Sequence, residues 1–287
     1  MTRLLAAALA LGLLAQQGRP TFKSAARTVY VYATVQGKDG RLVPDLGRED
    51  FQVFEDGKPR PITVFDNTPQ KITVAMMFDM SNSMAPEFAR IHAAAGAFVK
   101  ALSPDDRARI GSFGLEVAIS PLLTGDKPTL QRIVDEELWP GGPTPLWFAT
   151  DLAMTSLDHE DGRRVVVLFT DGYDSGFFVP GNRGDMRKHA ERGGFMIYAI
   201  GVPGRGLSEE LQALSEDSGG GHFLVGQNDD LGATFAQVVD ELHQQYLLAF
   251  SSDLTDGRSH SLRVKTTRSG AKVRARQSYI AGDGQIR

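Results

Sequence analysis

From Thr28 the run Thr-Val-Tyr-Val-Tyr-Ala-Thr-Val alternates, setting Val29, Val31, Ala33 and Val35 on one face, as a half-buried strand requires. Asp39-Gly40 then turns the chain. Residues 51–55 and 61–65 read as a second hairpin joined through Asp56-Gly57-Lys58-Pro59, because Asp-Gly between alternating segments is a tight-turn signal.

Between Lys71 and about Gln245 the pattern changes to short apolar runs separated by helical periodicity. That is the signature of a parallel sheet covered on both faces. Buried strands are expected at residues 72–78, 108–113, 165–169, 195–201 and 222–225. Helices are expected at 85–102, 128–137, 146–157, 185–192, 208–216 and 231–245, and an antiparallel edge strand at 116–121 after Gly114. After Gln245 the β pattern returns at 246–250, 261–266 and 272–279, with turns at Asp256-Gly257 and Ser269-Gly270.

Each flanking β segment has only about 35 to 45 residues, a size at which an isolated domain usually needs disulfides or a metal. The chain has no cysteine to supply a staple. The expected fold class is therefore α/β, a doubly wound, Rossmann-like and mostly parallel sheet, with a discontinuous all-β sandwich made by the N- and C-terminal segments. The expected division is a leader at 1–17, the first half of the sandwich at 22–68, the α/β unit at 69–245, the second half of the sandwich at 246–280 and a tail at 281–287.

The leader expectation comes from Arg3 followed by an apolar run from Leu4 to Ala15 and then Gln16-Gln17. The run is too short for a span of about 20 residues and suits a secretory signal, with cleavage near Ala15. The mature protein is thus expected to be exported, periplasmic or secreted, without a membrane span. A formal net charge of -4 gives no pull toward nucleic acid. The lack of cysteine also excludes thiolate metal sites and a cysteine nucleophile, so a metal would be held by oxygen or imidazole. Oligomeric state is not encoded in these patterns.

Three segments carry candidate chemistry. The strand at 72–78 runs into Asp79-Met80-Ser81-Asn82-Ser83, the strand at 165–169 into Thr170-Asp171-Gly172, and between them lies Gly141-Gly142-Pro143-Thr144-Pro145. Ligands of open parallel sheets bind outside the carboxyl ends of the strands, where such loops converge. Asp-x-Ser-x-Ser alone also reads as a helix cap; the joint set is more specific. Asp79, Ser81, Ser83, Thr144 and Asp171, in this order on these elements, resemble the metal-ion-dependent adhesion site of von Willebrand factor type A domains. The flanks Phe51-Gln-Val-Phe-Glu-Asp-Gly-Lys-Pro and Tyr246-Leu-Leu-Ala-Phe resemble a bacterial exported subfamily of those proteins.

The resemblance implies a non-enzymatic module in which Ser81, Ser83 and Thr144 bind Mg2+ through hydroxyls, while Asp79 and Asp171 hold metal-bound waters. Mn2+ or Ca2+ would serve as substitutes. It further implies a protein partner that offers an Asp or Glu carboxylate. One departure is Pro143, where such domains commonly carry glycine. It is expected to bias Gly142 toward extended conformations.

Two alternatives remain open at this level. A haloacid-dehalogenase-type phosphohydrolase also places an aspartate after an apolar strand, but needs a second acid two residues on, where Ser81 stands. A structural protein with a vestigial metal site is the other. Gly-x-Ser-x-Gly and His-Glu-x-x-His are absent, the six histidines show no ligand spacing, and Gly201-Val-Pro-Gly204-Arg-Gly206 lacks dinucleotide spacing. Residues 258–276 hold seven Lys or Arg and no acid, read as solvated faces of edge strands. Phe177-Phe178 are either a rim contact or a loop anchor.

Overall fold

The computed structural model describes residues 27–176, 183–202 and 206–282. The expected leader, Phe177-Phe178 and residues 203–205 lie outside them. In chain order come β1 (Arg27–Gln36), β2 (Phe51–Glu55), β3 (Lys58–Arg60), β4 (Ile62–Asp66), β5 (Thr73–Asp79), α1 (Phe88–Ala101), β6 (Arg107–Phe113), β7 (Val117–Ile119), α2 (Lys127–Glu137) and α3 (Leu146–Thr155). They are followed by β8 (Arg164–Thr170), α4 (Arg183–Gly193), β9 (Met196–Gly201), α5 (Glu209–Asp217), β10 (His222–Leu224), α6 (Leu231–His243), β11 (Tyr246–Ser252), β12 (Ser259–Thr266), β13 (Lys272–Ala275) and β14 (Ser278–Ile280).

The central sheet has six strands in the order β10-β9-β8-β5-β6-β7. All its pairings are parallel except β7 against β6. Its inner strands β5, β8 and β9 are buried on both faces because both faces are covered. Val74, Met76 and Phe78 of β5 pack in a cluster with residues of α1, α2 and α6, and Ala75 and Met77 pack in a second cluster with residues of α3, α4 and α5. This is the doubly wound α/β architecture read from the sequence.

The flanking segments form two four-stranded antiparallel sheets, β13-β1-β11-β4 and β14-β12-β2-β3, each with strands from both ends of the chain. Val29, Val31, Ala33 and Val35 turn inward as their alternation requires and meet Val53, Leu248 and Phe250 in a third core. Among the described residues no helix is long and apolar enough to cross a membrane.

Three details depart from the sequence reading. The partner of β2 is β3, through a two-residue turn with Asp56 at φ 48° and Gly57 at φ 76°, rather than residues 61–65. Positive φ at both positions is the geometry that matches hairpin twist. Pro61 then breaks the ladder, and β4 pairs with β11 in the opposite sheet. Second, residues 82–87 form a 3-10 turn containing Pro86, so α1 begins at Phe88; proline lacks the N–H that an α-helical interior uses. Third, Arg274 is only partly exposed: it pairs with Glu241, which is buried on α6.

Arg163, just before β8, holds both crossings between the two halves of the molecule. Its guanidinium donates to the Gln70 carbonyl at 3.1 Å on the way in and to Gln245 Oε1 at 2.7 Å on the way out.

Candidate metal site

β5 lies between β6 and β8, so its last residue opens at the centre of the sheet's carboxyl edge. Asp79 is fully buried there. Its Oδ1 accepts from the Ser81 N–H at 3.0 Å and its Oδ2 from the Thr170 hydroxyl at 2.6 Å. Burial pushes its pKa up to about 6, against the hydrogen bonds that hold it down, and the charge of Asp171 adds to the rise. A carboxylate so placed is short of positive charge.

The turn after Asp79 brings two hydroxyls together. Ser81 Oγ and Ser83 Oγ are 3.1 Å apart, Ser81 buried and Ser83 exposed. Neighbouring ligands of an octahedral Mg2+ at about 2.0–2.1 Å are themselves separated by about 3 Å. The serine pair therefore fits one edge of that octahedron.

The glycine loop is laced to this turn. Asn82 N–H donates to the Gly142 carbonyl at 3.1 Å, Gly142 N–H returns to Asn82 Oδ1 at 3.2 Å, and Gly141 N–H reaches the Met80 carbonyl at 2.7 Å. Gly142 has φ 92°, so the expected extended bias from Pro143 is not what the loop adopts. Part of the pre-proline restriction acts through Cβ, which glycine lacks, and a Cβ here would sit 2.3 Å from the Leu115 nitrogen. Thr144 is buried, with its N–H donating to Ser175 Oγ at 3.1 Å and its carbonyl accepting from Ser175 N–H at 2.9 Å. Asp171 is buried after β8 and accepts from the Tyr173 N–H at 3.2 Å.

All five sequence-named residues thus sit on converging loops at one edge of the sheet. The direct contacts join Asp79, Ser81 and Ser83; Thr144 and Asp171 come in on the neighbouring loops. The donors are oxygen throughout, a set for hard cations.

Sequence reasoning missed Thr170, Asn82 and Ser175, which position this set. Of these, Thr170 had a signal. Once β8 is placed beside β5, a hydroxyl at its last position falls opposite Asp79. It also missed three large exposed side chains on the surrounding loops: Leu115 at 72 % exposed, Trp139 at 75 % and Tyr173 at 52 %.

The sequence profile of the von Willebrand factor type A domain matches residues 73–238, from β5 into α6 and over half of the chain. The chain belongs to the von Willebrand factor type A domain family. Two solved structures resemble it across different extents. A von Willebrand factor type A protein from Catenulispora acidiphila has 10 % identity and a TM-score of 0.52, covering 91 % of this chain and 75 % of that one. Proximal thread matrix protein 1 from the mussel byssus has 19 % identity and a TM-score of 0.52, covering 66 % of this chain and 50 % of that one. At these identities the likeness is one of fold. No curated protein sequence matches the chain. In this type A domain the five candidate residues all fall within the matched span.

Proposed function

We propose that the protein is an exported, non-enzymatic binding module whose type A domain holds Mg2+, with Mn2+ or Ca2+ as substitutes, and captures a carboxylate of a protein partner. The observation that carries this reading is the Ser81 and Ser83 hydroxyl pair, spaced as adjacent metal ligands beside the buried Asp79. Ser81, Ser83 and Thr144 would hold the cation through neutral hydroxyls, with Asp79 and Asp171 behind them. When bound, the cation supplies positive charge and a coordination position open to an acidic side chain. Keeping both carboxylates off direct ligation favours an incoming anion, because less of that charge is neutralised.

Leu115, Trp139 and Tyr173 would frame the capture point, offering apolar contact around a charged centre, the arrangement of an interface with a buried anchor. The phosphohydrolase alternative gains no support, since the position of its acid is Ser81.

Calorimetry tests the site. Mg2+ is expected to bind at about one equivalent, and Asp79→Ala to weaken it at least about tenfold. Equal binding by that variant sinks the assignment. Export is tested separately by fractionating cells that make the full-length chain; cytoplasmic retention of the mature form would overturn that part.

A further inference from the structure

The opposite end of the parallel sheet carries a second feature, unrelated to the candidate metal site. Where the amino ends of β8 and β9 meet the sandwich sheet holding β1 and β11, there is a cavity of about 210 Å³. Tyr30, Tyr32, Met196 and Leu247 give it apolar walls, and Arg163, Arg192 and Arg276 line it as well. Among the described residues no Asp or Glu lines it.

Tyr30 and Tyr32 sit on the face of β1 that turns away from the sandwich core. Val29 and Val31 occupy the other face. Leu247 lies opposite Tyr32 in the β1–β11 register, so these rings and the leucine form one continuous wall. The cavity is therefore built where the two halves of the molecule meet, not within either core.

Arg163 decides its chemistry. It is 5 % exposed, and among the described residues its hydrogen bonds go to neutral oxygens: the Leu242 and Gln70 carbonyls and Gln245 Oε1. The Tyr32 ring stands 5.1 Å from the guanidinium. Its Nε is buried without any hydrogen-bond partner. A guanidinium offers five N–H donors and matches carboxylates in shape, and a buried positive charge that hydrogen-bonds to no carboxylate, with Asp106 acting on it only through its charge, is costly unless an anion is supplied. Arg276, whose guanidinium donates to the Tyr30 carbonyl at 2.6 Å and is acted on by the charge of Glu191, also lines this space.

We propose that this cavity binds a small organic anion, a carboxylate carried on a flat apolar body. Arg163 meets the carboxylate and the two tyrosines, Met196 and Leu247 enclose the body. Its volume lies below the range of about 300–1,000 Å³ typical of drug-sized ligands, so the ligand is small. A bare inorganic anion would leave the apolar walls unfilled; a neutral ring would leave the guanidinium uncompensated. Because Arg163 also grips Gln70 and Gln245, a ligand here would tighten the junction between the type A domain and the sandwich.

The probes are benzoate, with benzamide as its neutral counterpart and inorganic phosphate as the anion without a body, each titrated into the full chain by calorimetry. Benzoate is expected to bind saturably, at least about tenfold tighter than either control. Leu247→Trp, which fills the cavity, should abolish benzoate binding while leaving Mg2+ binding unchanged. Arg163→Lys should weaken benzoate about tenfold, its folding checked by thermal melting. Absent benzoate binding, benzamide bound as tightly as benzoate, or benzoate binding unaltered in Leu247→Trp would each overturn the proposal. Loss of Mg2+ binding in Asp79→Ala bears on neither outcome.

Discussion

The Thr170 hydroxyl donates to Asp79 Oδ2 at 2.6 Å across two neighbouring strands of the central sheet, and Thr170 Oγ1 itself accepts the Gly172 N–H at 3.0 Å. The hydroxyl proton is therefore committed to the aspartate, because the backbone takes one of the oxygen's lone pairs. This fixes the rotamer of a buried carboxylate whose other partners among the described residues are Ser81 and the neighbouring charge of Asp171.

Thr170→Val keeps the shape and deletes the donor. Hydrogen bonds to charged groups contribute about 1.5–3 kcal/mol, so Mg2+ affinity should fall by about ten- to a hundredfold as Asp79 loses its orientation. Calorimetry on the variant measures this directly. A native melting curve with unchanged affinity would show that Thr170 has no positioning role.

This contact also marks the limit of sequence reading. The alternation in β1, the apolar runs of the central strands and the loop residues at their tips were legible because each is a local pattern. Which hydroxyl faces Asp79 depends on the register of β5 against β8, a long-range property. The same reason explains Arg274, whose stretch looks solvated from its alternation, yet whose partner Glu241 lies 33 residues away on α6. The missed β3 and the misread start of α1 have a different cause: Lys58-Pro59 reads as part of the turn although it already pairs with β2, and Pro86 interrupts a run whose helical periodicity continues through it. The histidines likewise looked scattered, but His243 meets Asp106 and His260 meets two aspartates once the chain is folded.

Glu241 anchors the junction between the type A domain and the sandwich. Its carboxylate accepts from Tyr198 of β9, Thr34 of β1 and Arg274 of β13, and it is 1 % exposed. Removing one partner of a buried charge pair leaves the other uncompensated, at a cost of about 3–5 kcal/mol. Glu241→Leu should lower stability by that amount in chemical denaturation. The pair Glu241→Leu with Arg274→Met should recover much of the loss. A double variant as unstable as the sum of the singles would place the effect elsewhere.

His260 makes local stability pH-dependent. Its Nδ1 lies 2.7 Å from Asp56 Oδ2 and its Nε2 lies 3.0 Å from Asp256 Oδ1, while Asp56 also accepts from the Ser261 N–H and hydroxyl. The Tyr279 ring stands 5.9 Å away. The hydrogen bond to Asp256, then that to Asp56, raises the imidazole pKa above 6.5, and the bond to His260 lowers both carboxyls below 3.8. A raised histidine stabilises fully below its unfolded pKa and loses the effect as pH climbs through the folded value. The lowered aspartates stabilise above theirs and lose it as pH falls. The clamp is thus complete between 3.8 and 6.5. Hydrogen exchange at the Ser261 amide, corrected for intrinsic rates, should be slowest in that window, and His260→Gln should remove the alkaline limb. Flat protection across neutral pH in the native chain would refute the clamp.

The last prediction concerns how the two ends of the chain depend on each other. β11 is an inner strand of its sheet, paired with β1 along Arg27–Ala33 and with β4 along Ile62–Asp66. Its residues Tyr246, Leu248 and Phe250 lie in the core shared with Val29, Val31 and Ala33. The Tyr246 hydroxyl also donates to the Val43 carbonyl at 2.6 Å and accepts from the Leu46 N–H at 3.0 Å, holding the segment between β1 and β2. Deleting from Tyr246 onward would leave β1 and β4 without their shared partner, with unpaired strand edges and an apolar face in water. Such edges are opened readily by proteases. Residues 27–66 should then be cut rapidly in the truncated chain. The α/β unit should resist longer, since the central sheet draws its strands from β5 to β10 alone. Limited proteolysis with mass mapping of the fragments reads both halves of this expectation. If residues 27–66 were cut no faster in the truncated chain than in the full one, the N-terminal strands would have to be stabilised by the type A domain itself, and the two ends would not form a common sandwich unit.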